Sequence, residues 1–273
     1  MKKTTLITIL FAALAVYGCA DDEEGGTAGS GGTAGSGGSA GSGGTAGMGG
    51  SAGMGGSAGE GGMGGSAGMG GTPAFFEQDF EGVEQASLTA LGDAGFVVFG
   101  NVTQPDGTTV ESYGTFPAPN NPAMAAFCLV ASGEGGAEQG DQQLVIFSDY
   151  QNQAQMLAGN LVQASTFQEV TIQAGDIGKT FTFSFDAKGG DIADASTADA
   201  FIKTIDPDNS FAETNFEQLD TTNLPATWGP FEISLNLTDP LLEGQLLQFG
   251  FSATATNNEA SGNFYDNLQG TFQ

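Results

Sequence analysis

From Phe75 onward, apolar and polar positions alternate in short runs broken by turn residues. The clearest run, Phe181-Thr182-Phe183-Ser184-Phe185-Asp186-Ala187, places three phenylalanines on one face of an extended strand. Comparable patterns occupy residues 96–100, 125–131, 143–147, 167–172, 200–205, 231–237, 246–252 and 263–268. Between them lie clusters rich in Gly, Pro, Asn and Asp, such as Gln104-Pro105-Asp106-Gly107 and Asp206-Pro207-Asp208-Asn209. No long stretch keeps a helical period, and residues 157–164 allow only a short turn of helix. Nine or ten short strands with turn signals between them predict an all-β fold, an antiparallel sandwich.

The first 72 residues follow another pattern. Met1-Lys2-Lys3 is a basic start, and residues 6–16 form an apolar run. That run is too short to span a bilayer, which takes about 20 helical residues. It fits the apolar region of a secretory signal peptide. The run ends in Val16-Tyr17-Gly18-Cys19-Ala20, which resembles the lipobox of bacterial lipoproteins: an aliphatic residue, a variable one, a small one, then cysteine. The resemblance implies cleavage before Cys19, acylation of Cys19 and a stable membrane anchor. Ala20 after the cysteine implies, by the enterobacterial sorting rule, the outer membrane or cell surface of a Gram-negative bacterium.

From Thr27 a six-residue unit repeats (TAGSGG, SAGSGG, TAGMGG, SAGMGG and near copies) as far as Gly71. Each unit offers little but alanine to bury, too little to offset the entropy of ordering its glycines. Glycine does not fall at every third position, which excludes a collagen-like helix. The expectation is a disordered tether, whose r.m.s. span over about 48 residues is roughly 35–42 Å at ~5–6 Å × √n. The chain therefore divides into a signal peptide (1–18), a lipidated N-terminus with its tether (19–72) and a β-sandwich (73–273).

Charge narrows the partners. Of the 32 acids, only Asp21, Asp22, Glu23, Glu24 and Glu60 precede Pro73, so 27 fall in the sandwich against Lys179, Lys188 and Lys203. Such a surface has no basic footprint for nucleic acid. It repels anionic lipids and polyanionic glycans as well. Neutral polysaccharide, cationic partners and calcium stay open. The sequence has no histidine and no arginine, which removes His-based triads, His metal ligands and bidentate anion clamps. If Cys19 is acylated, Cys128 has no partner for a disulfide; its apolar neighbours Phe127 and Leu129 mark it as a small buried hydrophobe. Phenylalanine outnumbers tyrosine and tryptophan 21 to five, and with no polar handle it speaks for core filling.

The sandwich opens with Phe76-Glu77-Gln78-Asp79-Phe80-Glu81-Gly82 and closes with Phe264-Tyr265-Asp266-Asn267-Leu268. Gly140-Asp141-Gln142-Gln143-Leu144 leads into a central strand, and Trp228 precedes Phe231-Glu232-Ile233-Ser234-Leu235. Together these resemble the jelly-roll modules of the galactose-binding-like class, including carbohydrate-binding modules of bacterial glycosidases. The resemblance implies a jelly roll whose first and last strands lie together. It also implies a structural calcium held by Glu81 or Asp79 from one strand, Asp266 from the other, and backbone carbonyls.

Sugar sites pair aromatic rings with amides and carboxylates. Tyr113, Phe116, Tyr150 and Trp228 are the candidate platforms, with Gln142, Asp149 and Asn152 as polar partners. Trp228 also leads a strand, where tryptophan commonly packs into a sandwich. Residues 206–217 place oxygens at EF-hand spacing, but Phe211 stands where that loop requires glycine, so the segment reads as a polar surface loop. Residues 133–136 are glycine-rich without the lysine of a phosphate loop. No carboxylate pair is singled out for glycoside hydrolysis. The expectation is a monomeric, non-catalytic module for neutral carbohydrate. A surface adhesion protein recognising another protein, or a carboxylate-dependent glycan hydrolase, are the alternatives.

Overall fold

The computed structural model describes residues 74–273. Cys19, the expected signal peptide and the expected tether lie outside the described residues. Twelve strands follow one another: β1 (Phe76–Gln78), β2 (Val97–Thr103), β3 (Thr109–Pro117), β4 (Cys128–Ser132), β5 (Gln142–Ile146), β6 (Leu161–Thr171), β7 (Thr180–Ile192), β8 (Thr197–Asp206), β9 (Ala212–Asp220), β10 (Gly229–Asn236), β11 (Leu246–Ala255) and β12 (Ser261–Phe272). Two short α-helices, α1 (Ala90–Asp93) and α2 (Gln153–Leu157), lie in the connections.

Every strand pair is antiparallel. The first sheet runs β10-β7-β12-β5-β4, with β1 also paired to β12; the second runs β3-β2-β6-β11-β8-β9. The chain is thus an antiparallel jelly-roll β-sandwich. Its first and last strands are neighbours, with Phe76 opposite Gly270 and Gln78 opposite Leu268.

The alternation seen in the sequence becomes the core. Phe181, Phe183 and Phe185 of β7 all point inward and meet Phe249 and Phe251 of β11 from the facing sheet. Ring centroids lie 4.9 Å apart for Phe181–Phe249, 5.2 Å for Phe183–Phe249 and 5.0 Å for Phe185–Phe251, the last at 90°. Tyr265 of β12 stacks on Phe251 at 3.7 Å and spends its hydroxyl on Thr221 at 2.9 Å. Each such aromatic pair contributes about 0.5–1.5 kcal/mol beyond the area it buries. Cys128 is buried in this core, and burial pushes its thiol up to about 12.

Three expectations shift. The helical turn expected over 157–164 falls earlier, in α2, because Val162 and Ala164 alternate into the core as part of β6. The EF-hand-like stretch is only partly loop: β8 ends at Asp206 and β9 begins at Ala212. β3 and β9 carried little signal because both are edge strands, exposed along most of their length and low in apolar residues.

Candidate functional groove

The outer face of the second sheet forms the candidate site. Leu247, Phe249 and Phe251 fill the core, so Leu246, Gln248 and Gly250 point the other way. Strand register then lays out that face in rows. Glu169 of β6, Gln248 of β11, Lys203 of β8 and Phe216 of β9 stand in line, and next to them Phe167, Gly250, Phe201 and Gln218.

Gly250 leaves room between the rings on either side of it. A Cβ there would run into the carbonyl of Thr166 and lie 2.6 Å from Cα of Phe167. With no side chain between them, Phe167 and Phe201 close over the glycine at a centroid distance of 6.0 Å, edge to face. These outward-facing rings are only 1% and 3% exposed.

Phe167 forms the floor of a cavity of about 600 Å³, lined by Phe99, Gly114 and Thr115 at one side and by Ile205, Phe211, Glu213 and Leu246 at the other. Lys203, Glu169 and Gln248 form its polar rail. Lys203 Nζ lies 5.7 Å from the Phe167 ring centroid and 5.2 Å from that of Phe201. Burial lowers the Lys203 pKa, with Glu213 and Glu169 acting the other way. Among the described residues Lys203 makes no direct ion pair. Gln248 Nε2 donates to Glu169 Oε2 at 2.5 Å, which fixes the amide in place. An apolar floor with a short row of oriented donors and acceptors suits an uncharged polyhydroxylated ligand.

The sequence candidates for ligand contact lie elsewhere. Tyr113 packs over Gly100, where a Cβ would collide with its ring, and donates its hydroxyl to Asp149 at 2.7 Å. Burial, with this carboxylate acceptor, raises the Tyr113 pKa. Asp149 is buried and also accepts from the backbone N–H of Gln151. Tyr150 donates to the carbonyl of Glu259 at 2.6 Å, and burial raises its pKa too. Gln142 Nε2 donates to the carbonyls of Phe80, Glu81 and Val83, tying the first loop to β5.

Trp228 lies just before β10 of the first sheet, half-buried, with Nε1 donating to the carbonyl of Glu134 at 3.0 Å. Lys188 Nζ lies 5.5 Å from its ring centroid and pairs with Glu134 at 2.8 Å. None of Tyr113, Tyr150, Trp228, Gln142 and Asp149 lines the groove. Phe167 and Lys203 were missed as site residues, as was Phe201 beside them. The available signal was apolar residues at both parities over 200–202, the mark of a strand covered on both faces.

The acids at the joined strand ends do approach one another. Asp266 is 0% exposed, and its Oδ2 finds no hydrogen-bond partner. Burial pushes its carboxyl up to about 7, with Asp79, Glu81 and Asp186 adding to the rise. Asp186, which sequence reasoning did not name, stands directly opposite Asp266 across β7 and β12. Its Oδ2 accepts from Gln139 and Asn267, both at 2.9 Å. Glu81 Oε1 accepts from the backbone N–H groups of Asp141 and Gln142 at 2.8 and 2.7 Å. The donor set is all oxygen, as calcium prefers, and the orphaned Asp266 oxygen fits a cation. Among the described residues no group of three or more acids or cysteines converges into a metal site, so backbone carbonyls would have to complete the shell.

No protein-family model matches the chain, and no curated protein matches it. Solved structures do. The enzymatically active domain of Bacteriophage CBA120 tailspike protein 4 is 11% identical, with a TM-score of 0.40 over 70% of this chain and 21% of that one. The chain thus spans about a fifth of that tailspike. The C-terminal family 22 carbohydrate binding module of Clostridium thermocellum Xyn10B is 14% identical, with a TM-score of 0.37 over 72% of this chain and 93% of that one. The CBM22-2 xylan-binding domain of Paenibacillus barcinonensis Xyn10C is 17% identical, with a TM-score of 0.35 over 55% of this chain and 88% of that one.

Proposed function

We propose that this chain is an exported lipoprotein, anchored through Cys19, that presents a monomeric, non-catalytic jelly-roll module for neutral polysaccharide on a glycine-rich tether. The observation that carries the binding part is the groove of about 600 Å³ on the second sheet, with Phe167 in its floor and Lys203, Gln248 and Glu169 beside it. Phenyl rings offer a surface for the C–H faces of sugar rings, while the amide, ammonium and carboxylates answer hydroxyls. The acidic excess of the domain supports an uncharged ligand over an anionic one.

In the same reading, calcium bound by Asp266, by Glu81 or Asp79, and by backbone carbonyls staples the first loop to the last strand. A hard cation would supply the positive charge that these carboxylates lack.

Retention on a panel of immobilised neutral and acidic glycans tests the function. Wild-type domain is expected to be held by at least one neutral glycan. Lys203→Ala and Gln248→Ala are each expected to weaken retention about tenfold, the weight of one or two lost hydrogen bonds. Absence of retention on every neutral glycan overturns the proposal, and capture of a protein ligand would favour adhesion. Release of soluble product from a retained glycan would make the module an enzyme.

A further inference from the structure

The β8–β9 hairpin closes through a tight turn in which the N–H of Ala212 donates to the carbonyl of Asn209 at 3.0 Å. Its two central residues, Ser210 and Phe211, have φ of 55° and 58°. Both therefore occupy the left-handed region, the geometry of a type I′ turn, which strongly favours Asn-Gly or Gly-Gly. A bulky side chain at such a position is a genuine outlier. Glycine would hold this turn without strain, yet the chain places a phenylalanine there.

The ring returns nothing to the fold that would explain the choice. Phe211 is 66% exposed and belongs to neither hydrophobic cluster. It does line the groove, at the end opposite Gly114 and Thr115. An exposed aromatic ring kept in a strained turn at the edge of a cavity is placed where a ligand can meet it, and such strain gathers at binding sites.

We propose that Phe211 is a specificity-determining contact of the groove: a hairpin-tip platform on which a pyranose ring of the polysaccharide stacks as it leaves the floor. This inference rests on the carbohydrate reading above and extends it to a residue outside the sheet. The floor ring Phe167 is almost covered, so Phe211 is the aromatic lining residue most open to a sugar ring at this end of the groove.

The test sets stability against binding in the domain bearing its natural tether. Phe211→Gly accepts positive φ freely, so its melting temperature is expected to equal or exceed that of wild type. Its retention on the neutral glycan that holds wild type is expected to fall about tenfold, the weight of one aromatic stacking contact. Phe211→Tyr keeps the ring and is expected to restore retention. Leu157→Ala, which removes another exposed apolar side chain, is expected to leave retention unchanged. A lower melting temperature for Phe211→Gly would make the ring a packing group and overturn the inference. Unchanged retention for Phe211→Gly, with loss for Lys203→Ala, would overturn it while the groove stands. If wild type binds no neutral glycan, the carbohydrate reading falls and takes the platform with it.

Discussion

Asp266 shows how one residue can belong to the fold and oppose it. Its carboxyl is buried with an unpaired oxygen, and burial holds its pKa near 7, well above the usual value of 3.8. Between these two values the unfolded chain has released a proton that the native state keeps. Stability in chelator is therefore expected to fall as pH rises from about 4 to about 7, and to level off above that. Asp266→Asn should flatten this slope and leave the calcium-free domain more stable than wild type at pH 8. Added calcium should raise the melting temperature of wild type at pH 8 and not that of the variant. Thermal melts with and without chelator check each part. Only family resemblance pointed to Asp79, Glu81 and Asp266 as a set; their spacing along the chain says nothing about proximity. Asp186 was hidden because its partner across the strand pair, Asp266, is 80 residues away.

At the scale of elements, β11 carries two surfaces at once. Its odd-numbered residues Leu247, Phe249 and Phe251 fill the sandwich, while Gln248 and Gly250 shape the groove. Gly250→Ala therefore strikes the site through the sheet. The added methyl meets the backbone of β6 at Thr166 and Phe167, where no side-chain rotation can give way. We expect about 1–3 kcal/mol of destabilisation, as for other overpacked sites, measurable by urea titration. Period-two alternation made strands such as β7 readable from the residues. It left the edge strands β3 and β9 obscure, since an edge with both faces wet shows no contrast between inner and outer positions.

At the scale of the whole molecule, the repeat ending at Gly71 lies between the proposed anchor and the sandwich along the chain. Mass spectrometry of material from the native cell is expected to find the mature chain beginning at an acylated Cys19. A mature chain lacking that modification would remove the anchor and leave the sandwich untouched.

What could be told from residue order follows from local physics. A basic start with a short apolar run, a glycine repeat that cannot bury surface, and alternating phenylalanines each declare themselves within a few neighbours. An outward-facing ring declares nothing of the kind. Phe167 and Phe201 read as core from composition, and they are buried, but on the outer face of their own sheet rather than between the two. That burial arises from the register of six strands and from a glycine on a third strand between them. Such a face exists only once strands distant in sequence have paired.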